Sequence, residues 1–301
     1  MKKPAALFSL SHPPTNTTKL FVLLGSPLGH SLSPPMHNLA FERLAMDCLY
    51  LPVEVSSKDL GAVFTELLKT NVYGFNVTTP HKIAIKEYID QIDPLASTIG
   101  AVNTILVKKD TTIGYNTDGE GFIQSLEREA GIEAAGKRFC VLGCGGAARA
   151  IAMTLAAKDA EKILLHNRSQ KKAVNLSVEI NQKIRSCTRA VDKDPRAVAD
   201  AIEQSDILIN TTSVGMFPQT KATPVDPALL RPGLVVADIV YNPQETALLT
   251  AARARGCRTL EGLGMLLYQG VEAFKIWTGK TPPVMAMRQI LEKELTKRRS
   301  D

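Results

Sequence analysis

The chain has 301 residues, of which 45% are hydrophobic and 22% are charged, a composition that is typical of a globular protein and excludes a disordered or collagen-like chain. Its 36 Lys and Arg residues exceed its 30 Asp and Glu residues by six, a balance that suits either nucleic acid or anionic small molecules. No apolar run reaches the roughly 18 residues of a membrane-spanning helix, so we expect no membrane segment.

The first half of the chain predicts an α/β unit in which short strands alternate with amphipathic helices. Residues 1–18 are expected to be a loose tail, because an early proline and polar residues follow the two lysines without a signal-peptide cleavage site. Strands are expected at 21–25, up to 54, at 73–78, 101–109 and 111–118, and helices at 36–45, 59–70 and 119–131. A further helix is predicted from Pro80, because Thr79 and Pro80 suit its start and apolar residues follow at 85, 88, 89 and 92.

The second half predicts a Rossmann-type, doubly wound parallel sheet. Its strands are almost continuously apolar, as expected when helices cover both faces, and they are expected at 138–143, 162–167, 206–212 and 234–241. Two final helices, at 264–279 and 284–299, are expected to return to the first unit. The predicted domains are therefore 19–118 with 265–301, and 119–264.

A glycine-rich turn follows the first strand of the second unit. Gly143, Gly145 and Ala148 match the GxGxxG/A pattern between a predicted strand and an alanine-rich helix. Such glycines let the backbone approach a pyrophosphate, whose charge is stabilised by the N-terminus of the helix. A purely structural turn is the alternative, and the strand and helix on either side of the turn argue against it.

The end of the next strand indicates which dinucleotide would bind. An NAD site places an acidic residue about 20 residues after the glycines, but this chain has Asn167 followed by Arg168. Arg168 can contact a 2′-phosphate through its planar guanidinium, and Lys172 adds a second cation one helical turn later. The sequence therefore favours NADP, with a solvated basic helix start as the alternative.

Polar residues in predicted loops of the first unit suit the binding of a carboxylate and the transfer of a proton. Ser31 and Ser33 precede a helix and can donate to a carboxylate, although capping of that helix would also account for them. Lys82 is expected in the first turn of the helix predicted from Pro80. The helix dipole there would lower the lysine pKa and suit it to acid/base chemistry, whereas a solvated lysine is the ordinary explanation.

Two further positions are ambiguous when taken singly. Asp118 precedes a predicted helix, where an aspartate is commonly an N-cap, and Asn103 can be read as a turn amide.

Nine motifs in order give the chain a resemblance to the shikimate dehydrogenase family from about residue 20 onward. The motifs are GSPLGHSLSPPMHN (25–38), NVTTPHK (76–82), GAVNT (100–104), NTDGEGF (116–122), VLGCGGAARA (141–150), NRS (167–169), NTTSVGM (210–216), DIVYNPQET (238–246) and GLGMLLYQG (262–270). The resemblance implies a substrate-binding catalytic domain at 19–118 and 265–301 and an NADP-binding Rossmann domain at 119–264.

The same resemblance implies the residues of the site. Those implied to surround the substrate are Ser31, Ser33, Thr78, Lys82, Asn103, Asp118, Tyr241 and Gln269. Those implied to contact NADP are Gly143, Cys144, Gly145, Gly146, Ala147, Asn167, Arg168, Ser169, Lys172, Ile239 and Gly262.

The implied activity is the reversible reduction of 3-dehydroshikimate to shikimate, a step of chorismate and aromatic amino acid biosynthesis. The cofactor carries the hydride chemistry, and the protein supplies orientation and a proton. We expect Lys82 to be the acid/base and Asp118 to pair with it and hold the reacting hydroxyl.

The sequence leaves two other functions open. A quinate/shikimate dehydrogenase using NAD or NADP belongs to the same family; Ser33 favours shikimate, whereas the stretch from VYNPQETALL to WTGKTPP is similar to that branch. A non-catalytic metabolite sensor on the same fold is the alternative from another class, and the presence of both Lys82 and Asp118 argues against it.

The expected partner is a small-molecule substrate, without nucleic acid, membrane or metal. The chain has one Trp and six Tyr and no basic stripe or aromatic-rich motif for nucleic acid. His30, His37 and His81 suggest a metal, but no carboxylate or cysteine cluster accompanies them. Five scattered cysteines without a CxxC pair fit a reducing cytoplasm. A homodimer is compatible with the sequence but not indicated by it.

Overall fold

A computed structural model describes the backbone of residues 13–29 and 31–300 and the side chains up to residue 297. The strands are β1 (Lys19–Gly25), β2 (Cys48–Glu54), β3 (Val72–Val77), β4 (Gln91–Ile92), β5 (Thr104–Lys108), β6 (Thr111–Tyr115), β7 (Arg138–Leu142), β8 (Lys162–His166), β9 (Thr188–Ala190), β10 (Ile207–Asn210), β11 (Val235–Asp238) and β12 (Arg258–Leu260). The α-helices are α1 (Ser33–Arg43), α2 (Leu60–Leu68), α3 (Pro94–Ile99), α4 (Asp118–Ala130), α5 (Gly146–Ala157), α6 (Gln170–Lys183), α7 (Pro195–Glu203), α8 (Ala247–Ala254), α9 (Gly262–Thr278) and α10 (Val284–Ser300).

These elements form two compact units. Unit 1 consists of the chain up to Thr117 and from Gly270 onward, and unit 2 consists of Asp118–Gln269. The assignment of substrate and cofactor to separate domains remains a prediction. Most of the expected loose tail lies outside the described residues. Its last part forms a turn in which the hydroxyls of Thr17 and Thr18 donate to the Asp47 carboxylate, at 3.1 and 2.7 Å.

Unit 1 contains a mixed six-stranded sheet in the order β2-β1-β3-β5-β6-β4. The central strand β1 is parallel to β2 and β3, whereas β5 runs antiparallel to β3 and to β6. Because β3 and β5 run in opposite directions, the carboxyl end of β3 lies beside the amino end of β5, where Asn76 pairs with Thr104. Loops that follow β1 and β3 therefore lie at the same edge of the sheet as the start of β5.

An aromatic cluster packs one face of this sheet. The Phe21 ring lies between those of Phe41 and Trp277, with centroid distances of 4.9 Å to Phe41 and 5.0 Å to Trp277. The Trp277 indole donates to the Ile105 carbonyl at 2.9 Å. Gly74 makes room for it, since a Cβ at this position would lie 2.4 Å from the indole nitrogen.

The helix predicted from Pro80 is wrong. Residues 79–83 form a turn, the following segment is a short 3-10 helix at Ala84–Tyr88, and Ile92 lies in β4. Tertiary contacts explain the difference, because the Asp90 carboxylate accepts bonds from the amide and hydroxyl of Thr112 at 2.8 and 2.7 Å and ties this stretch to β6. Lys82 is therefore not in the first turn of a helix, and the helix-dipole argument does not apply to it.

Unit 2 contains an all-parallel sheet in the order β12-β11-β10-β7-β8-β9, as the sequence predicts. The strands β10 and β11 are buried along their whole length, which is why their sequences are almost continuously apolar. The chain order of the strands changes direction at β7, which has β10 on one side and β8 on the other. In such sheets the crevice outside the carboxyl ends at this point is the usual ligand position.

Glycines bring the helices of unit 2 into close contact. A Cβ at Gly119 would lie 2.0 Å from the Thr154 hydroxyl of α5, and a Cβ at Gly121 would lie 2.6 Å from the Gln269 amide nitrogen of α9. Only a residue without a side chain allows this approach. The two glycines therefore fix α4 against α5 on one side and α9 on the other.

No helix among the described residues is long and apolar enough to cross a membrane. All five cysteines are free thiols.

Candidate active site

The loop between β1 and α1 contains the two serines expected to bind a carboxylate. The Glu54 carboxylate accepts from the Leu28 amide at 2.6 Å and holds the start of the loop. The N-cap of α1 is Leu32, without a side-chain cap, so neither serine caps the helix. The Ser31 hydroxyl instead accepts from the Ser33 amide at 3.3 Å, within the turn before the helix. The structure thus places both serines at the N-terminus of α1, where an anion is favoured.

A buried hydrogen-bond chain connects Tyr50, a neighbour of Ser33, with Asn103. The Tyr50 phenol donates to the Asn76 side-chain oxygen at 2.8 Å. The Asn76 amide group donates to the Asn103 carbonyl and to the Thr104 hydroxyl, each at 3.0 Å. Burial raises the pKa of Tyr50, so the phenol remains a donor at neutral pH. The predicted substrate residue Asn103 is therefore part of a buried framework that extends to Tyr50.

The amide orientation of Asn103 is set by its neighbours. Its side-chain oxygen accepts from the Thr117 amide at 2.8 Å and from the Thr104 hydroxyl at 3.0 Å, and its nitrogen donates to the Thr117 hydroxyl at 3.0 Å. Asn103 is more than a turn amide, because it joins β5 to the residue before α4.

Thr78 and Lys82 follow β3 at the same edge of the sheet. A Cβ built at Gly25 would lie only 2.3 Å from the methyl group of Thr78, so the ends of β1 and β3 are in close contact. Lys82 is half-buried in the turn after β3, and its carbonyl accepts from the Val102 amide at 2.8 Å. This bond brings the lysine backbone next to the residue preceding Asn103.

Two further predicted substrate residues lie on helices of unit 2. Asp118 lies on α4 and Gln269 on α9. Asp118 is the first residue of α4 and is 7% exposed, a position in which the helix dipole favours its negative charge. Gly121, one turn later, allows the backbone of Gln269 to approach. The structure therefore brings these two residues to neighbouring helices, whereas their relation to the residues of unit 1 remains a prediction.

The glycine-rich turn has the features of a phosphate site. Gly143 has φ +106°, a left-handed conformation, and Gly145 is the N-cap of α5 without any side-chain cap. No atom lies within 4 Å of a Cβ built at Gly145 or Gly146, and no acidic residue occupies the first turn of α5. The helix N-terminus thus presents amide groups to open space, which suits a pyrophosphate.

Cations follow the next strand, β8. Ser169 is the N-cap of α6 without a side-chain cap, and the first turn of α6 contains no acidic residue. Arg168 and Lys172 are exposed beside this helix N-terminus, where the dipole opposes a positive charge. An anion between them would relieve this repulsion. Lys172 also lowers the pKa of Cys144 in the glycine-rich turn, although burial dominates and raises that pKa to about 11.

Asp238 joins the loops that follow β10 and β11. Its carboxylate accepts from the Asn210 side chain at 2.9 Å, from the Val240 amide at 3.0 Å and from the Thr246 hydroxyl at 2.7 Å. Burial raises the pKa of Asp238, and these three donors oppose the shift. Ile239, which was predicted to contact the cofactor, is the next residue along the chain.

The loop after β11 also contacts the start of α9. A Cβ at Gly262 would lie 2.5 Å from the Ile239 carbonyl, so these two predicted cofactor residues touch. Tyr241 is half-buried in the same loop. Ile239 and Gly262 also line a narrow crevice with Phe122, Ser125 and Met265.

Of the histidines considered as metal ligands, the structure describes His37 and His81. His37 is fully buried, and its ring stacks on Tyr50 with centroids 4.6 Å apart. The His81 Nε2 donates to the Val55 carbonyl at 2.8 Å, and His30 lies outside the described residues. Within residues 13–29 and 31–297 no group of three or more His, Cys, Asp or Glu side chains could hold a metal ion.

Several residues of this framework were missed by sequence reasoning. Asn76, Thr117, Asn210 and Asp238 all lie inside the quoted motifs, so a signal was present. Tyr50 lies outside every motif, and its strand, CLYLPVE, gives no local signal for a buried hydrogen bond.

Family models match three consecutive parts of the chain. The model described as "Shikimate dehydrogenase substrate binding domain" matches residues 23–105, "Shikimate / quinate 5-dehydrogenase" matches residues 125–238, and "Shikimate 5'-dehydrogenase C-terminal domain" matches residues 262–292.

Individual proteins are similar over almost the whole chain. "Shikimate dehydrogenase (NADP(+))" of Moorella thermoacetica is 45% identical over 93% of this chain and 94% of its own length. Shikimate 5-dehydrogenase of Listeria monocytogenes, solved in complex with shikimate and NAD, has a TM-score of 0.89 at 39% identity and covers 93% of this chain and 99% of its own. Quinate dehydrogenase of Corynebacterium glutamicum, solved in complex with NAD, has a TM-score of 0.86 at 32% identity and covers 92% and 99%.

Proposed function

The chain belongs to the shikimate dehydrogenase family, and from this membership we propose that it catalyses the reversible NADP-dependent reduction of 3-dehydroshikimate to shikimate. The observation that carries the proposal is the 45% identity, over 93% of the chain, with an enzyme named for this activity and cofactor. The proposed activity is that of an oxidoreductase, and we place its reaction in chorismate biosynthesis.

The residues of unit 2 fit NADP. The open amide groups from Gly143 to Ala147 suit the pyrophosphate, and Arg168 with Lys172 suits the 2′-phosphate in the absence of an acidic residue after β8. When bound, NADPH would supply the hydride for the reduction, and NADP⁺ would accept it in the oxidising direction. The further residues proposed to contact it are Asn167, Ser169, Ile239 and Gly262.

The residues proposed for the substrate have complementary chemistry. Ser31 and Ser33, at the N-terminus of α1, would donate to the carboxylate. Amide and hydroxyl groups suit the ring hydroxyls, and the residues concerned are Thr78, Asn103, Tyr241 and Gln269. The buried framework around Asn103 supports this assignment, because the bonds to Thr104 and Thr117 fix the orientation of its side chain.

Lys82 and Asp118 are proposed to handle the proton. In the reducing direction the Lys82 ammonium would donate a proton to the oxygen at C3, and in the oxidising direction the neutral amine would remove it. The Asp118 carboxylate would accept a hydrogen bond from the reacting hydroxyl and favour the charged lysine. We also propose that residues 19–118 and 265–301 form the substrate-binding domain and residues 119–264 the cofactor-binding domain, which the separate locations of the serine loop and the glycine-rich turn support.

The test is a steady-state assay of the purified protein with shikimate and quinate, each with NADP⁺ and NAD⁺. We expect the highest kcat/KM for shikimate with NADP⁺. The chain is also similar to a quinate dehydrogenase that was solved with NAD, so quinate with NAD⁺ is the principal rival pair. A higher kcat/KM for that pair would overturn both the substrate and the cofactor assignment. Binding of shikimate without any turnover would instead indicate a metabolite sensor.

Properties outside the chemistry remain predictions. A cytoplasmic location is supported by five free thiols. Light scattering after gel filtration tests for a homodimer, and retention of DNA at moderate salt would contradict the expectation that nucleic acid is not a partner.

A further inference from the structure

The Asp238 carboxylate lies at the carboxyl edge of the parallel sheet, where two loops meet. It is the last residue of β11 and is 2% exposed. Through the Asn210 side chain, at 2.9 Å, it is bound to the last residue of β10, and through the Thr246 hydroxyl, at 2.7 Å, to the N-cap of α8. One buried carboxylate thus holds three segments together.

The side-chain partners of Asp238, Asn210 and Thr246, form further hydrogen bonds of their own. The Asn210 side-chain oxygen accepts from the amide and hydroxyl of Thr212, at 3.0 and 2.7 Å, and so shapes the loop after β10. The Thr246 hydroxyl accepts from the Leu249 amide at 3.3 Å and caps α8. All of the groups around the carboxylate are donors, which is the arrangement that an ionised acid requires.

Two independent contacts join the same loops. The Phe217 amide donates to the Asn242 carbonyl at 3.1 Å. Gly215, with φ +89°, lies next to Thr246, because a Cβ built at the glycine would be 3.7 Å from the Thr246 Cβ. The loop from 211 to 217 and the loop from 239 to 246 are therefore one structural piece, with Asp238 in its interior.

This piece adjoins the proposed cofactor residues on both sides. The Thr211 hydroxyl donates to the Leu142 carbonyl at 2.7 Å and lies 2.6 Å from a Cβ at Gly143, the first glycine of the turn. On the other side the Ile239 carbonyl touches Gly262. A shift of either loop would move Ile239 or the turn at Gly143.

We propose that Asp238 is a positioning residue for the cofactor, which through Asn210 and Thr246 holds the loops after β10 and β11 in the arrangement that NADP requires. The inference rests on the proposed function, because it takes Gly143, Ile239 and Gly262 as cofactor contacts. Asp238 itself touches none of the reacting atoms. Its effect should appear in cofactor affinity and in turnover, since a misplaced cofactor is also misaligned with the substrate.

The main test compares the Asp238→Asn and Asp206→Asn variants. Asp206 accepts three bonds from Arg138, at 2.7–3.2 Å, at the amino end of β10, so the control makes the same chemical change at the opposite edge of the sheet. NADPH binding, followed by fluorescence, should weaken about tenfold in Asp238→Asn, with kcat reduced about tenfold or more at saturation. Both quantities should remain within twofold of the wild type in Asp206→Asn.

A second pair of variants avoids dependence on folding of Asp238→Asn. Thr246→Val removes the hydroxyl, and Thr246→Ser keeps it, so NADPH binding should weaken in the first and be restored in the second. Wild-type affinity in Thr246→Val, or in a folded Asp238→Asn, overturns the positioning role. A wild-type protein that fails to bind NADPH overturns the proposed function as well, which separates the two failures.

Discussion

Gly121 of α4 faces the backbone of Gln269 of α9 so closely that a methyl group on the glycine would lie 2.6 Å from the Gln269 amide nitrogen and 2.8 Å from its Cβ. Because a backbone atom cannot move away as the tip of a flexible side chain can, Gly121→Ala must displace α9. We expect a loss of stability of about 1–3 kcal/mol.

The consequence for function is a higher KM for shikimate, since Gln269 is a proposed substrate contact. Thermal unfolding and steady-state kinetics measure the two effects. Gly29→Ala is the control for stability, because nothing lies within 4 Å of a Cβ at that position. An unchanged melting temperature in Gly121→Ala would mean that the helices can separate without cost.

Loss of the proposed proton carrier should reduce turnover far more than substrate affinity. For Lys82→Ala we expect kcat to fall about 100- to 10,000-fold, the range of general acid–base catalysis, with KM for shikimate changed little. Lys86→Ala, in the short 3-10 helix that follows, is the matched control and should retain full activity. An unaltered kcat in Lys82→Ala would remove this lysine from the chemistry.

Preference for NADP⁺ should depend on the cations at the start of α6. In Arg168→Ala we expect KM for NADP⁺ to rise about 10- to 100-fold, which corresponds to the about 1.5–3 kcal/mol of a hydrogen bond to a charged group. KM for NAD⁺, which lacks the 2′-phosphate, should remain nearly constant. Lys171→Ala, an exposed lysine in the same turn, controls for general charge. Equal losses with both cofactors would argue against phosphate recognition by Arg168.

Acid stability should depend on His37. Burial lowers the pKa of its imidazole to about 3, from 6.5 in the unfolded chain, and neither ring nitrogen has a hydrogen-bond partner within the described residues. Since the folded protein excludes the proton, this contribution to stability is complete above pH 6.5 and is lost as the pH falls from 6.5 towards 3.

The variant His37→Phe keeps an aromatic ring against Tyr50 but cannot titrate. Its free energy of unfolding should therefore decline less between pH 6.5 and 4 than that of the wild type, by up to about 1.4 kcal/mol for each pH unit. Denaturant titrations at several pH values measure this. Parallel pH profiles for the two proteins would show that His37 takes up its proton without unfolding the chain.

Sequence patterns were sufficient where one local interaction determines the structure. The turn at Gly143 and the parallel strands beside it were predicted correctly because glycine conformation and continuous apolarity are readable from the residues alone. The stretch after Pro80 was wrong because Asp90 bonds Thr112, a partner 22 residues away. Tyr50 was missed for the same reason, since its phenol finds Asn76 only after the strands assemble.

Trp277 is the sole tryptophan of the chain, and it lies in unit 1 with its indole bound to the Ile105 carbonyl and its ring 5.2 Å from that of His37. Intrinsic emission excited at the indole band therefore reports the folding of unit 1 alone, without an added label. Circular dichroism, in contrast, samples the helices of both units. Comparison of the two unfolding curves for one sample would measure whether the two units lose their structure in a single cooperative transition or in two.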